Sequence, residues 1–168
     1  AHTDSLTGLS NRRDFMDHLE AAIGSCVAGS QALCVLMLDV DHFKAINDNH
    51  GHAVGDRALV ALAYACRQQL RDNDVVGRLG GEEFGVVLPR TDAALAESVA
   101  ERLRETISTL RVPDATGGML GFTVSIGLAE LSGPDDSASG LLQRAGRARY
   151  QAKRSGRNRV ILAPHERA

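Results

Sequence analysis

Arg78-Leu79-Gly80-Gly81-Glu82-Glu83-Phe84 places a Gly-Gly turn and two adjacent carboxylates between two apolar runs. The runs, 74–79 and 84–88, have strand length, and a glycine pair between such runs is a hairpin signal. Upstream, 33–38 is a continuous apolar run, the pattern of a strand buried on both faces, and it leads into Asp39-Val40-Asp41. Two strands that deliver carboxylates to one spot make a candidate metal site, because clustered negative charge is costly until a cation offsets it. Magnesium takes one or two carboxylates and fills its other positions with water and phosphate oxygens. Two-metal phosphoryl transfer uses that arrangement, so the pattern points to a nucleoside triphosphate. Alone, Asp39-Val40-Asp41 reads as a helix-capping segment and Gly80-Gly81 as a plain turn. The chemical reading rests on their combination.

Outward from this centre, Ser10 can cap a helix over about 11–28, with Phe15, Leu19, Ala22 and Ile23 on one face. A short helix is expected over about 42–49. After Gly51-His52 and Gly55-Asp56, a longer helix runs to about Leu70 on the spacing Leu59, Leu62, Ala63, Cys66 and Leu70. Asp92 can cap the next helix, with the stripe Leu95, Val99, Leu103, Ile107 and Leu110. The pattern then gives a loop over 112–118, a strand over 120–131 interrupted by Gly127, and a turn at Gly133-Pro134-Asp135-Asp136. A last helix over about 137–154 and a closing strand at 160–162 complete the chain. A hairpin inside a βα series excludes a purely parallel sheet. The expected class is α/β (α+β): a mixed sheet with a βαββαβ ferredoxin-like or palm core, flanked by helices and an added hairpin or edge strands.

The 168 residues suit a single domain, 1–168, with 43% apolar and 24% charged residues. A formal net charge of -2 gives no basic balance for duplex nucleic acid. No apolar run is long enough for a membrane span, and Ala1-His2-Thr3-Asp4 opens no signal pattern. Cys26, Cys34 and Cys66 form no Cys-x-x-Cys pair, and Cys34 and Cys66 read as small core residues, in a reducing cytoplasm.

The segment around Gly80 resembles the signature of GGDEF domains, the diguanylate cyclases, in its Gly-Gly-Glu-Glu-Phe version. Further blocks follow in the family's order. Asp4 to Arg13 resembles the opening motif, Asp39 to Asp48 the metal and phosphate segment, and Gly51-His52 with Gly55-Asp56 its continuation. Ser125-Ile126-Gly127 and Tyr150 to Asn158 resemble the last two. The blocks cover essentially the whole chain. A chance match over such a series is far less probable than one over any single block. The chain begins at the opening motif, so an upstream regulatory part is expected in a longer protein, which that part can attach to a membrane.

The resemblance implies condensation of two GTP into cyclic di-GMP and two pyrophosphates, with one GTP per subunit of a symmetric homodimer. It implies Mg²⁺ or Mn²⁺, two per half-site, held by the Asp39 side chain, the Val40 carbonyl, Glu82 and Glu83. Glu82 is also a candidate base for the attacking hydroxyl. Gly80 and Gly81 would admit the α-phosphate close to the backbone. Lys44, Lys153 and Arg157, with the amides near His42 and Phe43, would hold the β- and γ-phosphates. Asn47 and Asp56 match the guanine readers. On charge alone, Lys153 and Arg157 read as a solvated helix end, where cations suit the dipole.

Arg71 and Asp74, with five residues between Asp74 and the glycine pair, resemble the family's Arg-x-x-Asp inhibitory product site, with Arg102 as a further contact. The plain alternative is a surface ion pair at a turn. Departures from the pattern are Gly146 in place of an aspartate and Arg149 in place of an apolar residue. Gly146 weakens a helix by roughly 1 kcal/mol relative to alanine. Arg149 is expected to lay its stem across the core edge. His52 is expected to make a structural hydrogen bond. A non-catalytic GGDEF module that binds GTP or cyclic di-GMP is the alternative function. Such modules typically lose the carboxylates that this chain keeps.

Overall fold

The computed structural model describes residues 2–165. Helix α1 (Arg12–Ala28) starts where Asn11, rather than Ser10, accepts from the Asp14 amide at 2.9 Å. It leads to β1 (Leu33–Val40), α2 (Phe43–His50) and α3 (His52–Gln69). The hairpin β2 (Val75–Arg78) and β3 (Glu83–Pro89) follows, then α4 (Ala93–Thr109), capped by Asp92. A short hairpin, β4 (Val112–Pro113) and β5 (Met119–Leu120), precedes β6 (Val124–Glu130), α5 (Ala138–Arg154) and β7 (Val160–Leu162).

The main sheet has the order β2-β3-β1-β6-β7. Its first four strands are antiparallel neighbours in the order of a βαββαβ core, and β7 adds a parallel edge. The pleat's period of two divides β1 cleanly. Cys34, Leu36, Leu38 and Val40 pack under α3 and α4, whereas Leu33, Val35 and Met37 pack under α1 and α5. Asp39 continues the second row, so its carboxylate emerges at the sheet end on the α5 side. Glu83 is its register partner on β3, on the same face.

Helix α5 comes very close to the sheet at Gly127 of β6. A Cβ there would collide with the Ala145 carbonyl and the Arg149 amide, so no other residue fits without moving the helix. On the α1 side, Phe15 fills the space left by the register pair Gly77 and Gly85.

Three sequence expectations change. The loop over 112–118 and the strand over 120–131 resolve into the β4–β5 hairpin and a separate β6, because a turn around Gly117 folds Met119 back on Pro113. Leu95 leaves the α4 core stripe at 51% exposed, and Ala96 and Ala100 face the sheet instead. His52 stands exposed at the start of α3, with no side-chain hydrogen bond among the described residues. The cysteines are buried and free, as expected, and burial pushes the Cys34 and Cys66 thiols up to about 12.

Candidate active site

The end of the central strands carries the chemistry. Asp39 ends β1 and Glu83 begins β3, and Arg149 of α5 bridges them. Its Nη1 donates to Asp39 Oδ2 at 2.9 Å and to Glu83 Oε2 at 2.7 Å. Lys153, one turn further along α5, places Nζ 3.3 Å from Asp39 Oδ1. That oxygen is buried and accepts no hydrogen bond among the described residues. Burial raises the Asp39 carboxyl above the ordinary carboxylate range and the Glu82 charge adds to this, although Lys153 and Arg149 pull the other way.

Two of the three expected carboxylates converge. Glu82 accepts the Val40 amide through its own carbonyl at 3.2 Å, but the three acidic side chains do not form one chelating group among the described residues. The donors that do meet fit a divalent cation of the magnesium type. An orphaned carboxylate oxygen, a second carboxylate and the nearby Val40 carbonyl are a suitable set, completed by phosphate oxygens. Arg149 corrects the sequence expectation outright. Its guanidinium lies in the carboxylate cluster, because the Gly127 contact brings the α5 backbone down onto the sheet end.

Beside the cluster is an open cleft of about 420 Å³. Val40, His42, Phe43, Lys44, Glu82, Lys153 and Arg157 all line it. His42 caps α2 in the left-handed conformation, φ 57°, with no side-chain cap, leaving the first amides of α2 free of side-chain competition. Lys44 is exposed and pairs with Asp48 at 2.8 Å. A Cβ on Gly81 would meet nothing within 4 Å, so the turn leaves open space above its backbone. Asn47 Oδ1 is buried with no hydrogen-bond partner among the described residues. It points at Gly55, where a Cβ would collide with it, and so stands against the turn of α3 that carries Asp56.

Two supports were invisible as roles in the sequence. Arg78 holds the turn in shape by donating to the Gly80 carbonyl at 3.2 Å and to the Gly81 carbonyl at 2.8 Å. Asp4 anchors Arg78 at 3.2 Å and itself accepts from the Thr7 amide and hydroxyl. The opening motif therefore braces the Gly-Gly turn. Asp41, buried, accepts from Ser125 Oγ at 2.6 Å, Thr123 Oγ1 at 2.7 Å and the Asn158 amide at 3.0 Å. It ties the α2 entry to β6 and to the loop that carries Arg157.

A sequence model described as "Diguanylate cyclase, GGDEF domain" matches residues 1–159. The chain belongs to this family. It is 42% identical to diguanylate cyclase DgcM of Escherichia coli over 163 residues, 97% of this chain and 38% of that protein. The GGDEF domain of DgcB from Caulobacter crescentus, solved in complex with c-di-GMP, superposes with a TM-score of 0.91 at 37% identity, covering 96% of this chain and 92% of that one. The active GGEEF domain of a diguanylate cyclase from Vibrio cholerae superposes with a TM-score of 0.84 at 32% identity, with 95% of this chain and 99% of that one covered. The GGDEF chain spans well under half the length of the curated relatives it matches.

A second polar group of this GGDEF domain lies away from the carboxylates. Arg71 Nε and Nη2 grip Asp74 Oδ1 at 3.2 and 2.9 Å, and Nη2 also reaches the Pro89 carbonyl and Thr91 Oγ1. Hydrogen bonding to Asp74 raises the Arg71 pKa further above its ordinary value. Arg71, Asp74 and Arg102 line one pocket of about 160 Å³, with Leu95 and Val99 as its apolar wall. Arg102 is held by Gln69 at 3.0 Å. The exposed Leu95 thus belongs to this pocket rather than to the core. Among the described residues, no helix is long and apolar enough to cross a membrane.

Proposed function

We infer that this GGDEF domain is a diguanylate cyclase domain that condenses two GTP into cyclic di-GMP and two pyrophosphates. The observation that carries this reading is the cleft in which Lys44, Lys153, Arg157 and the α2 amino terminus face Glu82, beside the Asp39–Glu83 pair. The name of the Vibrio cholerae relative, an active GGEEF domain, supports it.

Lys44, Lys153 and Arg157 bind the β- and γ-phosphates as point charges and a fork. Asn47 Oδ1, short of a donor, and the Asp56 carboxylate read guanine, whose ring N–H and amine supply donors that adenine lacks at those positions. The open space over Gly81 admits the α-phosphate. Asp39, the Val40 carbonyl and Glu83 hold Mg²⁺ or Mn²⁺, two per half-site with Glu82. A bound metal would supply charge that offsets the phosphates and favours the alkoxide. Glu82, which faces the cleft, takes the proton of the attacking 3′-hydroxyl on its carboxylate. The new bond forms to the α-phosphorus of the facing nucleotide, and the bond to pyrophosphate breaks. One domain holds one nucleotide, so two copies must face each other across a twofold axis.

Arg71, Asp74 and Arg102 form the product site that restrains the dimer. The free thiols and a GTP substrate suit the cytoplasm. The test is incubation with GTP and Mg²⁺ at several protein concentrations, with chromatographic detection of cyclic di-GMP. Product should appear at a rate that rises faster than linearly with protein, and chelation of the metal should stop it. GTP binding without product at any concentration would leave a binding module.

A further inference from the structure

Arg149 is part of the carboxylate cluster, yet the cyclase reading gives it no role. It lies outside the phosphate cleft, whose cations are Lys44, Lys153 and Arg157. Ala145, Arg149 and Lys153 recur at the four-residue spacing of one helix face, and the close approach at Gly127 fixes that face on the sheet end. The guanidinium therefore reaches Asp39 and Glu83 from α5 without lining the phosphate cleft.

The way it holds them differs from the chain's forked arginine–carboxylate pairs. Arg144 grips Asp136 from two nitrogens, at 3.1 and 2.8 Å, and Arg71 grips Asp74 from two. Arg149 gives a single nitrogen to two carboxylates, and its Nε is buried with no partner among the described residues. A guanidinium is strongest as a fork on one carboxylate. One nitrogen shared between two carboxylates acts instead as a point charge between them, which is the electrostatic role of a metal ion.

We propose that Arg149 is a built-in counter-cation that competes with the divalent metal for Asp39 and Glu83. This rests on the reading above that those carboxylates hold the metal. A divalent ion loads by displacing the Arg149 guanidinium, and the phosphates of GTP favour the exchange because they supply further oxygens to the ion. Metal alone then binds weakly, and metal with nucleotide binds well. The antagonism is reciprocal, as for any two ligands that share a site.

The test is Mn²⁺ titration of the nucleotide-free protein, read from the paramagnetic resonance signal of the free ion. Arg149→Met should bind Mn²⁺ about tenfold more tightly than the wild type. Arg149→Gln, also neutral, should do the same and carries the comparison if the methionine variant misfolds. Equal or weaker binding by a folded neutral variant overturns the proposal. Adding Asp39→Asn to the neutral variant separates the two ideas. If that addition removes the Mn²⁺ affinity but neutralising Arg149 gave no gain, the counter-cation proposal alone fails. If Asp39→Asn leaves binding untouched, the ion sits elsewhere, and the metal-site reading fails with the proposal.

Discussion

Arg149 and Arg71 each hold a carboxylate, and they do so in opposite ways. Arg71 bonds a residue three positions away, is half exposed, and spends its remaining donor on a carbonyl and a hydroxyl. Its carboxylate partner follows from local chain geometry, one turn ahead of β2, and α4 closes the pocket around it. Arg149 bonds Asp39 and Glu83, 110 and 66 residues away in sequence, is largely buried, and leaves a nitrogen unpaired. A turn can be read from spacing, but a cluster assembled from three elements depends on how a helix seats on a sheet. Arg144 stands between the two cases. It shares α5 with Arg149, but its grip on the nearby, buried Asp136 is a two-nitrogen structural pair.

The sharpest way to break this comparison is to remove a carboxylate from the Arg149 cluster. Asp39→Ala or Glu83→Ala should lower cyclic di-GMP formation by roughly 10³-fold or more, measured as product per protein at saturating Mg²⁺. Near-normal turnover by either would remove the metal-site assignment.

Arg78→Ala tests whether the turn needs its brace. Activity should fall by about 100-fold while the fold persists, since Arg78 acts through the Gly80 and Gly81 carbonyls rather than on substrate. Restored activity in Arg78→Lys at full strength would argue against a forked brace.

The Arg144–Asp136 pair sets the scale for a purely structural contact. Burial raises the Asp136 carboxyl, but hydrogen bonds from Arg144 and from the Ser132 and Ser137 amides outweigh it and bring it down to about 2. A depressed carboxyl contributes stability that is present above the unfolded value near 3.8 and lost as pH falls toward 2. The loss should be about 2 kcal/mol over that window, and denaturant titration should find it missing in Asp136→Asn.

The smallest effect belongs to the pair whose arginine is half exposed. Arg71→Ala should leave initial turnover intact and raise the cyclic di-GMP concentration needed for half-inhibition by about tenfold. Unchanged inhibition would mean that the pocket of Arg71, Asp74 and Arg102 is not the product site.

Much of this was legible in the chain alone. The continuous apolar run at 33–38, the glycine pair at 80–81 and the helix stripes led to the mixed sheet, because apolar patterning and turn chemistry act residue by residue. The same local rules placed Asp39 at a strand end and Glu82 at the hairpin, whereas the family resemblance singled out Lys153 and Arg157. Glu82, Lys153 and Arg157 line one cleft beside Asp39. Leu95 was misplaced because its stripe fits the helix period as well as that of Ala96 and Ala100. Helix periodicity alone does not say which of two adjacent faces the sheet will cover. The β4–β5 hairpin escaped because two-residue strands carry no periodic signal.

The sequence by itself determined the fold class, the family and the residue types at the site, since these depend on pattern and spacing along the chain. Only the tertiary structure decided that Arg78 and Asp4 brace the turn, that Asp41 ties the α2 entry to β6 and the Arg157 loop, and that Arg149 enters the carboxylate cluster. The physical reason is that each of these arrangements depends on residues far apart in the chain; for Arg149 it is the contact at Gly127, where a missing side chain lets α5 settle against β6. That distance sets which charges meet.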